Sequence, residues 1–183
     1  ICVAQVDILE TMTPTQFLSF RERLESASGF QSAQFRLVEA VLGRRSTSML
    51  SQFHPESQEH ERLAARLRQP SLWDACLRYF NHHGFAISEE VLNRDFTSAY
   101  EPSVDVEDAL IAIHHGNPQA ALVCERLVDI DEGLQEWRYR HMKMVERTIG
   151  RKQGTGGSTG VVYLASTTNP SVFPELWSIR GRL

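Results

Sequence analysis

The sequence predicts an all-α fold: a helical bundle with a glycine-rich loop near its C-terminus. Apolar residues recur at steps of three and four along most of the chain, the period of one helix face. Capping residues and glycines punctuate that pattern where helices should start and stop. Only Val161-Val162-Tyr163-Leu164 reads as strand-like.

The elements follow in order. Ile1, Cys2, Ala4, Val6, Ile8 and Leu9 look like the interior of an amphipathic helix without a cap, so sequence is expected to precede residue 1. Thr13-Pro14-Thr15-Gln16 starts the next helix, with Thr13 as N-cap, Pro14 in the first helical position and Gln16 completing a capping box. Its inward side is expected to carry Phe17, Phe20, Arg21 and Leu24, and Ser26-Ala27-Ser28-Gly29 to break it. A helix over Phe30–Leu42 should turn Ala33/Gln34, Leu37/Val38 and Val41 inward and stop at Gly43. Residues 44–58 are polar and read as a loop. Helices are expected near 59–68, 72–81, 88–98 and 103–115, several of them opening on Ser or Pro. The longest periodic stretch runs from Pro118 to Ile149 and ends at Gly150. Its stripe is Ala121, Cys124, Leu127/Val128, Ile130/Asp131, Leu134, Trp137, His141, Met144/Val145 and Thr148. Gly154–Gly160 forms a loop, and Phe173–Trp177 closes the chain on a short turn or helix. The expected organisation is a single domain over 1–183, incomplete at its N-terminus.

Composition excludes several classes. Apolar residues make up 42% and charged residues 23%, which argues against disorder. A net charge of −4 leaves no basic excess for a phosphate backbone, so nucleic acid is not an expected partner. No apolar run approaches a membrane span, so no membrane partner is expected either. Three widely spaced cysteines, Cys2, Cys76 and Cys124, fit a reducing, cytoplasmic setting better than a disulfide framework.

Few residues suggest chemistry by themselves. His141 lies on the apolar stripe one turn after Trp137; it suits either a satisfied core histidine or the axial ligand of a haem. His82-His83 and His114-His115 are adjacent pairs without metal-ligand spacing. The loop glycines at 154, 156, 157 and 160 either form a plain linker or let the backbone approach a ligand, and Thr155 sits among them. Arg21 could snorkel, pair with a carboxylate of the chain, or grip a ligand's carboxylate with its planar fork.

Three segments narrow these readings. They are Leu9–Pro14 leading to Phe17-Leu18-Ser19-Phe20-Arg21, then Ser26–Arg36, then Trp137-Arg138-Tyr139-Arg140-His141 continuing through Gly150 and Gly154-Thr155-Gly156-Gly157-Ser158 to Tyr163-Leu164. Together, and in this order, they resemble the tryptophan 2,3-dioxygenase family over most of 1–45 and 117–183. Residues 46–116 match loosely, in the manner of the short bacterial form. The resemblance implies an α-helical homotetramer carrying haem b and acting on L-tryptophan and O2. It also implies opening of the indole C2–C3 bond to yield N-formyl-L-kynurenine. By motif, His141 resembles the proximal iron ligand, with Trp137 beside the cofactor. Arg21 resembles the clamp for the substrate carboxylate, Phe17 the aromatic on the substrate side, and Thr155 the contact for the ammonium group. Ser28 and Gly29 match the turn beside haem and substrate. No residue need be a general base, since the cofactor carries the hard chemistry. The family's N-terminal segment, with its distal histidine, has no counterpart here, so a companion chain or missing segment is expected to complete the site. The alternatives are a related haem-dependent oxygenase for another indole derivative and a non-catalytic helical binding module.

Overall fold

The computed structural model describes residues 2–23, 28–45, 47–150 and 171–183, with side chains for all of these except 2–5, 21, 28–32 and 47. The described residues are helical and include no strand; Val161–Leu164 and the loop 154–160 lie outside them. No helix among them is long and apolar enough to cross a membrane. The chain divides into two compact units, Ile1–Gln31 with Asp129–Ser171, and Ser32–Val128 with Val172–Leu183.

The first unit is built on α1 (Cys2–Glu10), α2 (Pro14–Glu22) and the second half of α8 (Pro118–Ile149). The expected capping box opens α2: the Thr13 N–H donates to Gln16 Oε1 at 2.9 Å, and the Gln16 N–H donates to Thr13 Oγ1 at 3.3 Å. Phe17, Met144, Val145 and Ile149 form its apolar cluster, with Leu9, Met12 and Leu18 packed around them. Phe20, expected inward, is exposed. At ~100° per residue it lies about 110° from the direction midway between Phe17 and Leu18, off the buried face.

Polar contacts add direction to this packing. Arg140 on α8 donates to Glu10 Oε2 at 2.7 Å and to Asp7, both on α1, and Arg147 reaches the Glu10 carbonyl at 3.5 Å. Thr148 spends its hydroxyl on the Met144 carbonyl at 2.7 Å, so it can face inward without an unmet donor. Gly150 then ends α8 with φ +59°, the left-handed stop that glycine adopts at least cost.

The second unit holds the rest of α3 (Ser28–Leu42), a 3-10 turn at Thr47–Gln52, and α4 (Gln58–Leu67), α5 (Leu72–His82), α6 (Glu89–Leu92) and α7 (Val104–Gly116). The first half of α8, α9 (Pro174–Ser178) and a 3-10 turn at Ile179–Gly181 complete it. Phe173, Leu176 and Ile179 are fully buried, and α9 packs on α7. Trp73 lies against Phe173 and Tyr100, with ring centroids 5.4 and 6.4 Å away. A second apolar cluster joins Ala40, Met49, Leu63 and Leu67.

Four expectations are corrected here. Helix α3 begins at Ser28, so Ser28 and Gly29 are its first residues and not a break; glycine costs least where the first N–H groups lack intrahelical partners anyway. Val38 and Val41 are exposed, and Ala33, Glu39, Ala40 and Leu42 take the inner face. Glu39 can sit there because Arg36 and Arg44 neutralise it at 2.6 and 2.9 Å. The helix expected over 88–98 shrinks to Glu89–Leu92, because Asp95 accepts the Thr97 N–H and hydroxyl in a local turn that competes with helix. The polar stretch 44–58 contains the 3-10 turn.

Candidate functional site

All seven residues singled out by sequence belong to the first unit. His141 is half-buried on α8, and Trp137 sits one turn before it on the same face. Their rings stack, with centroids 5.7 Å apart and planes 16° from parallel. Among the described residues His141 has no hydrogen-bond partner. Burial pushes its imidazole below the ordinary histidine range, so it is neutral at pH 7.

One turn further along α8, Val145 and Met144 meet Phe17 in the buried cluster, so the structure brings α2 against the helix that carries His141. Arg21 lies one turn after Phe17 on α2. Ser28 and Gly29 open α3. Thr155 and the side chains of Arg21 and Ser28 lie outside the described residues.

A neutral, half-buried imidazole without a hydrogen-bond partner among the described residues has a nitrogen lone pair available, and one such nitrogen is what a haem iron would take from the protein. No group of three His, Cys, Asp or Glu side chains that could hold a bare metal ion occurs among the described residues. Haem asks for only one. The buried thiols of Cys76 and Cys124 are pushed up to about 11 and about 12 by burial, so neither is a thiolate nucleophile near neutrality. A shallow pocket of about 500 Å³ in the second unit, lined by Gly84–Ser88 and by Asp105, Asp108, Ala109 and Ala112, includes none of the seven residues.

Sequence reading missed the anchoring of the His141 helix. Arg140, the next residue back, is held by Glu10 and Asp7 and lies 3.8 Å from Glu136. Only the Glu136–Arg140 spacing of four was visible beforehand; the two acids on α1, Glu10 and Asp7, come from 130 and 133 residues away in sequence.

Comparison with known proteins decides the family. The sequence profile described as tryptophan 2,3-dioxygenase matches residues 1–66 and 116–183. The tryptophan 2,3-dioxygenase of Herpetosiphon aurantiacus is 55% identical over 181 residues, which is 99% of this chain and 69% of that relative. This chain belongs to the tryptophan 2,3-dioxygenase family. An Anaeromyxobacter family member is 54% identical over 99% of this chain and 68% of its own length. One from Bacillus cereus is 43% identical over 97% of this chain and 64% of its own length. The chain thus spans about two thirds of the length of these tryptophan 2,3-dioxygenases. His141, Trp137, Phe17, Arg21, Ser28, Gly29 and Thr155 all fall within the matched segments.

Proposed function

We propose that this chain forms the haem-ligand and substrate-carboxylate side of an enzyme that cleaves the indole C2–C3 bond of L-tryptophan with O2, giving N-formyl-L-kynurenine. The observation that carries the reading is His141: half-buried, neutral, without a hydrogen-bond partner among the described residues, and inside a segment matched by the family. His141 would hold haem b through one ring nitrogen. When bound, the haem supplies the activation of dioxygen, and both oxygen atoms enter the product.

The chain's own residues bind and orient. Arg21 would receive the substrate carboxylate in a bidentate pair, the geometry a guanidinium fork matches and an ammonium does not. Thr155 would accept a hydrogen bond from the substrate ammonium. Phe17, Ser28 and Gly29 would line the indole and haem side, with Phe17 held in place by Met144, Val145 and Ile149. Fixing the indole and excluding water are the contributions expected of such a pocket. The remaining wall is proposed to come from a companion chain or an N-terminal segment, the assembly to be a homotetramer, and the compartment to be the cytoplasm.

The test is the electronic spectrum of the full-length protein and of its His141→Ala variant. Wild type should show a haem Soret band, and the variant should lose most of its haem while keeping its helical circular dichroism. Full haem retention with an unchanged ferrous spectrum would overturn the ligand assignment.

A further inference from the structure

A histidine that ligates a metal through one nitrogen has its ring plane fixed, as a rule, by a hydrogen bond on the other nitrogen. His141 has no such bond among the described residues. Its first side-chain torsion is restricted by the helix, but the second, about the bond to the ring, is broad and roughly two-fold. Among the described residues, a contact other than such a bond must therefore choose the plane of the imidazole. The ring face stacked on it is that of Trp137, at 5.7 Å between centroids and 16° between planes.

This geometry follows from helix register. Residues four apart lie about 6 Å apart along the axis and about 40° apart around it, so two flat side chains there meet face to face. Near-parallel rings with centroids 5.7 Å apart fall within the offset-stacked arrangement that aromatic quadrupoles favour. The adjacent Arg140 is turned to α1 and bound there by Glu10 and Asp7.

We propose that Trp137 is a positioning residue whose indole, stacked on His141, sets the plane of the imidazole and thereby the orientation of the iron–nitrogen bond. The inference rests on the reading of His141 as iron ligand and adds to it the group that orients the ligand. Trp137 touches neither substrate nor reacting atoms in this role.

The test uses haem-loaded, full-length protein carrying Trp137→Phe or Trp137→Leu, read by the iron–histidine stretching band of the ferrous form and the g-anisotropy of the ferric form. Leucine, which has no ring face, should shift and broaden both signatures, and phenylalanine should do so less. Unchanged signatures in a Leu variant with full haem and native circular dichroism would overturn the proposal. A second measurement covers a Leu variant that does not fold. In His141→Gly, with imidazole supplied from solution, adding Trp137→Phe should weaken imidazole binding up to several-fold, within the roughly 2- to 12-fold range that an aromatic pair contributes. Equal affinity with and without that change would count against the stack. The two readings separate cleanly. If the iron–imidazole band survives in His141→Gly without added imidazole, the ligand assignment fails; if it disappears there but ignores Trp137, only the positioning role fails.

Discussion

Replacing Asp74 by Ala should be among the more damaging single changes in the second unit. Asp74 is buried and makes four polar contacts. It accepts the Ser71 N–H at 2.7 Å and the Ser71 hydroxyl at 2.6 Å, and it takes Arg94 Nε and Nη2 at 2.8 and 3.1 Å. The first belongs to the capping box that starts α5, a device whose loss costs about 1 kcal/mol. Breaking a buried ion pair from one side costs ~3–5 kcal/mol. Arg94 retains the Asp95 and Ser98 carbonyls and the faces of Phe96 and Tyr100, which lowers that figure. The sum is about 3 kcal/mol, near 150-fold in the local unfolding equilibrium. Hydrogen exchange on the amides of α5 reads this directly, with urea unfolding as a check. The pair term is isolated by the cycle Asp74→Ala, Arg94→Ala and the double variant. Costs that add to within about 0.5 kcal/mol would refute the coupling on which this estimate depends. The pH dependence has a definite sign. Burial by itself would raise the Asp74 pKa, but the hydrogen bonds from Arg94 and Ser71 outweigh it and hold the carboxyl below its usual range. The unfolded chain then binds more protons than the folded one, so this stabilisation is present above the ordinary aspartate pKa and fades as pH falls through the lowered value.

Glu175 should behave in the opposite way. It is fully buried and accepts a hydrogen bond from Tyr100, and burial raises its pKa, so its contribution falls as pH rises above the ordinary glutamate range; Glu175→Gln should flatten that slope in thermal melts from pH 5 to 8, and an unchanged slope would contradict the assignment. Gly43→Ala should destabilise by about 1–2 kcal/mol, because Gly43 has φ +131° and a Cβ there would come within 3.2 Å of Ser71 Oγ and Trp73 Cβ; a neutral result in urea titration would show that the turn relaxes. Arg21→Lys should lower kcat/KM for tryptophan by roughly 30- to 1000-fold, on the order of 2–4 kcal/mol, yet barely alter the slow turnover of tryptamine, which lacks the carboxylate. Equal losses for both substrates would assign Arg21 a structural role.

The long helix, the Thr13–Gln16 cap and the stop at Gly150 were legible because each is set by local rules: a 3.6-residue period, a side chain bonding its own backbone, and glycine's tolerance of positive φ. The family was legible for a related reason, since its motifs are short runs whose order survives without any knowledge of packing. Direction within the fold was not local, and there the sequence was ambiguous. Val38 and Val41 are as apolar as Leu42, yet they face out while Glu39 faces in, and that choice depends on Arg36 and Arg44 neutralising the acid and on Ala40 fitting against Met49, Leu63 and Leu67. Burial of a charge is decided by partners, and Arg44 comes from beyond the end of the helix. The same holds at the candidate site. Sequence spacing put Trp137 and His141 on one face, but only the tertiary structure drew Arg140 away to Asp7 and Glu10 and set Phe17 against Val145. Those contacts join residues more than 120 positions apart, and no periodicity in a single helix carries information across that distance.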